Sequence, residues 1–115
     1  MTITIFGIRN CDTMKKARTW LADNNVAADV HDYKASGIDG VHLASWIEQA
    51  GWEKILNRAG TTFRKLPDDA KADLDAAKAT ALMLEQPSMI KRPVVEYPGG
   101  LLVGFKPEEY ARALL

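Results

Sequence analysis

Residues 2–21, TITIFGIRNCDTMKKARTWL, decide how the chain is read. Ile3 and Ile5 alternate with Thr2 and Thr4 and run into Phe6-Gly7, the pattern of a short strand that ends in a loop. From Asp12 the hydrophobic period lengthens from two to about 3.6. Met14, Ala17 and Leu21 then share one face of a predicted helix, with Lys15, Lys16 and Thr19 turned away from it. Cys11, the single cysteine of the chain, therefore lies where the strand hands over to the first helical turn.

The first N–H groups of a helix have no intrahelical partners, and the helix dipole places partial positive charge there. Sulfur at such a point favours thiolate. A free cysteine titrates at about 8.5, and helix starts with basic neighbours bring it down to roughly 3.5–7.5. Arg9, Lys15, Lys16 and Arg18 are the neighbours that add to the effect, and Asp12 opposes it. Free cysteines are usually small buried hydrophobes. A position between a polar loop and a helix start favours the reactive reading.

Composition bounds the rest. A chain of 115 residues fits one domain, 1–115, with a single moderate core. Hydrophobic residues at 47% and charged residues at 26% are near the globular average, which excludes disordered and fibrous classes. Fifteen basic residues balance fifteen acidic ones, so charge gives no case for nucleic acid or an anionic membrane as partner. One cysteine makes no internal disulfide, and no apolar run approaches the ~20 residues that span a bilayer. The expectation is a cytoplasmic, monomeric protein.

Beyond the first helix, Asn24-Asn25 supplies a stop and residues 26–33 (VAADVHDY) read as a weaker, polar edge strand. If it lies parallel to the first strand, the unit is β-α-β. His31 and His42 lie on different elements without partners at metal-ligand spacing and read as structural or solvated, so no metal is expected. Leu43, Ile47 and Ala50 repeat at helical spacing, with Trp46 and Trp52 read as core, and a short turn over residues 53–57 leads into the polar stretch RAGTTFRKL. Residues 67–73 and 76–85 read as two short helices, Leu82 and Met83 facing inward, closed by Pro87; Met83 and Met89 read as core filling. Val94, Val95 and Tyr97, then Pro98-Gly99-Gly100, then residues 101–105 form a hairpin. Lys106-Pro107-Glu108-Glu109 starts a terminal helix that packs with Tyr110 and Leu114.

A strand leading to a cysteine at a helix start, β-α-β, helices, then Arg-Pro before a hairpin and helix resembles the thioredoxin fold. The strings GIRNCDTMKKAR, DYK, GTTFRKL, IKRPVV and LLVGF resemble more narrowly the arsenate reductase/Spx (ArsC-like) family, and most closely its YffB branch. The similarity covers nearly the whole chain. It implies an α/β, thioredoxin-like fold: a four-stranded mixed sheet (β-α-β … β-β-α) with a helical insertion between strands 2 and 3. It also implies that Pro93 is cis and faces the cysteine.

Residue by residue, the resemblance implies Cys11 as the nucleophile and Arg92, just before Pro93, as an oxyanion-binding arginine, with Asn10 and Thr13 in the loop around the sulfur. Arg58 or Arg64 matches a second anion-binding arginine. Where arsenate reductases have a third arginine after the hairpin, this chain has Gly104-Phe105; where Spx has Cys-X-X-Cys, it has Cys11-Asp12-Thr13-Met14.

Chemistry adds a constraint of its own. A thiolate that attacks a disulfide becomes a mixed disulfide, and without a second cysteine an external thiol must release it. The expected function is a thiol-dependent, glutathione-linked reductase. It binds no resident cofactor and uses glutathione as cosubstrate, with glutaredoxin as a further partner and a small thiol or oxyanion as substrate. The alternative is an Spx-like regulatory module that contacts RNA polymerase and needs no chemistry at Cys11. Arsenate reduction ranks behind both.

Overall fold

The computed structural model describes residues 2–115. Its elements run β1 (Thr4–Gly7), α1 (Asp12–Asp23), β2 (Asp29–Asp32), α2 (Tyr33–Ser36), α3 (Gly40–Ala50), α4 (Trp52–Ile55), α5 (Thr61–Arg64), α6 (Asp68–Lys71), α7 (Ala76–Glu85), a 3-10 turn (Pro87–Met89), β3 (Val94–Tyr97), β4 (Gly100–Val103) and α8 (Pro107–Leu114). They fall into two compact units. One joins the residues up to Ser36 with Arg92–Leu115, and the other is Gly37–Lys91.

The first unit is built on a sheet of order β2-β1-β3-β4. β1 runs parallel to β2 and antiparallel to β3, and β3 antiparallel to β4. This is the mixed, thioredoxin-like α/β arrangement, with the polar β2 at an edge. The parallel pair requires a crossover, and α1 supplies it. Met14, Ala17 and Leu21 bury the apolar face of α1 against Ile3, Ile5, Val95, Leu102 and Tyr110. Gly7 makes the close approach possible: a β-carbon there would sit 2.6 Å from Met14 Sδ. Asn24 caps the end of α1 and the chain reverses at Asn25, φ 58°.

The hairpin turns at Pro98-Gly99, with Tyr97 opposite Gly100. In α8 the acids Glu108 and Glu109 occupy the first turn, where the helix dipole favours them. Tyr110 is buried among aromatic edges, Trp20 at 5.6 Å and Phe105 at 4.9 Å between ring centroids, and its hydroxyl donates to the Gly104 carbonyl at 2.8 Å.

The Gly37–Lys91 unit is helical. Asp39 and Asp75 cap α3 and α7 by accepting from the backbone N–H groups of His42 and Lys78. Leu43, Trp46, Ile55, Leu56, Phe63, Ala79, Met83, Met89 and Ile90 are its buried side chains, so Trp46, Met83 and Met89 are core as expected. Ile90 pairs with Leu56 in an isolated bridge, and Lys91 N–H donates to the Ile55 carbonyl at 2.7 Å.

Four local expectations are corrected. Tyr33 does not end a strand but opens α2, because the Asp32 carboxylate accepts from the N–H groups of Lys34 and Ala35 and turns the chain into a helical start. Within the polar stretch RAGTTFRKL, to which the sequence pattern assigns no element, residues 61–64 form a helical turn that buries Phe63. Residues 52–55 are helical too. Trp52 and Leu82 are only half-buried, and the Arg58 guanidinium lies 5.7 Å over the Trp52 ring.

Candidate functional site

Cys11 is the N-cap of α1, extended at φ −81° and ψ 135°. Its backbone is anchored on both sides: its N–H donates to the Ile8 carbonyl at 3.1 Å and its carbonyl accepts from Lys15 N–H at 3.0 Å. The side chain is half-buried against the sheet core and makes no capping hydrogen bond. The Met14 and Thr13 N–H groups nevertheless turn their dipoles toward the sulfur.

Arg92, 81 residues further along, closes the site. Its Nε donates to Cys11 Sγ at 3.3 Å. Partial burial pushes the Cys11 thiol up. The Met14 N–H, the Arg92 hydrogen bond, the Thr13 N–H and the Arg92 charge together outweigh it, and the thiol ionises below its ordinary range. The cation acting on the sulfur is thus Arg92, not the flanking Arg9, Lys15, Lys16 and Arg18 that the sequence pointed to.

The backbone that delivers Arg92 is fixed as well. The Arg92–Pro93 bond is cis, Pro93 is buried, and its carbonyl accepts from Gly104 N–H at 2.8 Å, tying the start of β3 to the end of β4. Asn10 and Thr13 are exposed beside the sulfur in sequence, one in the loop and one in the first turn. Arg58 and Arg64 belong to the Gly37–Lys91 unit, both exposed. Arg58 stacks on Trp52, and the Arg64 carbonyl accepts from Lys71 Nζ at 3.2 Å.

Two residues at the end of β2 belong to this site and were not singled out from the sequence. Asp32 accepts from Arg9 N–H at 3.2 Å and from Lys34 and Ala35 N–H at 2.9 and 3.1 Å, so it ties the loop before Cys11 to β2. Desolvation raises its pKa, but the Ala35, Arg9 and Lys34 N–H groups and the Arg9 charge together outweigh it and hold the carboxyl below its ordinary value. Tyr33 is fully buried, and the Arg92 guanidinium donates to its hydroxyl. Burial pushes that phenol well above its usual range, so it stays neutral. The one sequence signal was the string Asp32-Tyr33-Lys34.

The position after the hairpin supplies no guanidinium. Gly104 sits at φ +81°, where L side chains are strained, and Phe105 packs edge-on against Tyr110. Among the described residues no group of three or more His, Cys, Asp or Glu is placed to hold a metal ion, and no helix is long and apolar enough to cross a membrane.

The chain matches the model of the ArsC family over residues 6–113. The structure superposes on that of the YffB protein with a TM-score of 0.96 at 64% identity, covering 99% of this chain and 100% of the other. A solution structure of an arsenate reductase (ArsC) related protein from Brucella melitensis gives a TM-score of 0.79 at 56% identity over 100% and 97% of the two chains. An uncharacterised protein of Haemophilus influenzae is 42% identical over 96% of this chain and 97% of its own length. The global transcriptional regulator Spx of Streptococcus agalactiae is 28% identical over 93% of this chain and 79% of its own length.

Proposed function

This chain is a member of the ArsC family, and from that premise we propose that it is a glutathione-dependent monothiol reductase with Cys11 as nucleophile. The observation that carries the reading is the Arg92 Nε donated at 3.3 Å to the only sulfhydryl of the chain. In the first step the Cys11 thiolate attacks one sulfur of a mixed disulfide between glutathione and a small thiol. The Cys11–glutathione S–S bond forms, the old S–S bond breaks, and the small thiol leaves as thiolate and takes a proton from solvent. A second glutathione thiolate then attacks the glutathione sulfur of the adduct and oxidised glutathione departs, or a glutaredoxin thiolate attacks it and departs as a glutaredoxin–glutathione mixed disulfide; in either case the S–S bond to Cys11 breaks and Cys11 leaves as thiolate. Arg92 favours the thiolate before attack and suits a carboxylate of glutathione through its planar fork. This chemistry belongs in the reducing cytoplasm, where glutathione is abundant, and it needs only one copy of the chain.

Arg58, Arg64, Asn10, Thr13 and Pro93 are proposed as contacts to the bound substrate. Turnover of a small glutathione mixed disulfide, followed with glutathione and a coupled reductase, tests the reading: Cys11→Ser should abolish it. Undiminished turnover in that variant would overturn it.

The name of the Streptococcus agalactiae relative favours a second reading, a regulatory module of the Spx kind that contacts RNA polymerase. It requires no sulfur chemistry, so polymerase capture that is indifferent to Cys11→Ser would favour it over the enzyme.

A further inference from the structure

We propose that Tyr33 is a positioning residue that sets the Arg92 guanidinium against the Cys11 sulfur. An arginine head carries five N–H donors in one rigid plane. A single bond from Nε to Sγ leaves that plane free to swing on a flexible stem, and a second anchor removes the freedom. The Tyr33 hydroxyl is that anchor. It is delivered rigidly, because Tyr33 is fully buried and opens α2, whose first N–H groups are held by Asp32. The same Asp32 holds Arg9 N–H at 3.2 Å, so one turn at the end of β2 fixes both halves of the site: the loop that brings Cys11 and the tyrosine that orients Arg92.

The choice of tyrosine over phenylalanine supports this role. A hydroxyl buried without a partner is costly, so a purely packing role would be met more readily by a bare ring. The charged and titratable groups acting on Tyr33 are Arg92, Cys11 and Asp32; Arg92 is the charged side chain acting on Cys11. Tyr33 therefore reaches the sulfur through Arg92, whatever disulfide or other electrophile the thiolate meets. The inference assumes only a functional thiolate and does not depend on glutathione.

Alkylation of Cys11 by iodoacetamide across pH, in Tyr33→Phe, Arg92→Ala and the double variant, is the test. Tyr33→Phe keeps the ring and the packing. Below the wild-type midpoint its alkylation should be slower by roughly 1.5- to twofold, within the about threefold loss of Arg92→Ala through which it acts, because the more basic thiolate recovers part of a roughly two- to fivefold fall in thiolate population, and its midpoint should move upward. In the Arg92→Ala background the same substitution should change nothing, because the effect is routed through the guanidinium. An unchanged profile in Tyr33→Phe, or an equal shift in both backgrounds, would overturn the proposal. If Tyr33→Phe does not fold, the unmodified protein still decides the matter. With tyrosine labelled at the Cζ carbon, the Tyr33 resonance should step at the pH where Cys11 ionises and lose that step in Cys11→Ser; a flat trace there would refute the coupling. Failure of the glutathione assay together with a normal alkylation response would count against the enzymatic reading alone.

Discussion

Replacing Arg92 by alanine removes the guanidinium whose Nε lies 3.3 Å from the Cys11 sulfur. A hydrogen bond to a charged group contributes about 1.5–3 kcal/mol. Both partners are half-exposed, and solvent screening keeps the effect at the lower end, about 1.5 kcal/mol. At about 1.4 kcal/mol per tenfold, the thiolate population below the midpoint should fall roughly tenfold. The remaining thiolate is the more basic nucleophile, and a Brønsted coefficient of about 0.4–0.5 returns roughly threefold of that loss. Alkylation by neutral iodoacetamide should therefore slow by only about threefold. Attack on oxidised glutathione, which brings carboxylates to the same guanidinium, should slow by roughly ten- to a hundredfold, since a second charge-assisted contact is lost as well. Stopped-flow measurement with the two electrophiles at one pH separates the roles. Equal losses with both would refute the carboxylate contact, and no loss with either, in a variant with native circular dichroism, would refute the whole electrostatic reading of Arg92.

Three further outcomes follow from the same geometry. Because the folded Cys11 pKa lies below the unfolded value of about 8.5, the thiolate stabilises the fold fully above that value and its contribution is lost as pH falls through the folded pKa. Urea melts should accordingly show wild type gaining on Cys11→Ser as pH rises toward about 8.5, and a gap independent of pH would count against a lowered pKa. Arsenate should be a poor substrate: one preorganised donor is typically worth about 10²- to 10³-fold in rate, and Gly104-Phe105 supplies none, so arsenate turnover equal to that of a small mixed disulfide would return arsenate to first place. Tyr110→Phe leaves the Gly104 carbonyl without its 2.8 Å partner and should cost about 1–3 kcal/mol in thermal or urea unfolding; a loss below about 0.5 kcal/mol would show that this bond contributes little.

The parts of the fold that were legible in the sequence are those whose signals are local. The change of period at Asp12, the Asn24-Asn25 stop and the Pro98-Gly99 turn each lie within one element or its boundary, and each lands where expected. The cysteine was legible for the same reason, as a helix start is a local event. Its cation was not. Lys15 and Lys16 are next to it in sequence but point outward on α1, whereas Arg92 reaches it only because β1 and β3 pair; periodicity carries no information across 81 residues, and Arg92 entered through the family resemblance alone. Tyr33 escaped notice because in VHDY it reads as one more alternating strand residue. Only the Asp32 carboxylate, by accepting from two N–H groups ahead of it, converts that position into a helix start. The turn at Thr61–Arg64 was hidden by its two threonines, weak helix formers that follow the extended Gly60 and are held helical around the buried Phe63. Trp52 was read as core from its type, yet it is half-buried under an arginine, as an amphipathic indole readily is.

Intact-mass measurement after incubation with oxidised glutathione tests the central claim, that Cys11 is a glutathione-reactive thiolate, most directly. The prediction is a single glutathionyl adduct on the wild-type chain, removed by adding reduced glutathione and absent from Cys11→Ser. A chain that stays unmodified in excess oxidised glutathione, at a pH where iodoacetamide alkylates Cys11 readily, would contradict it.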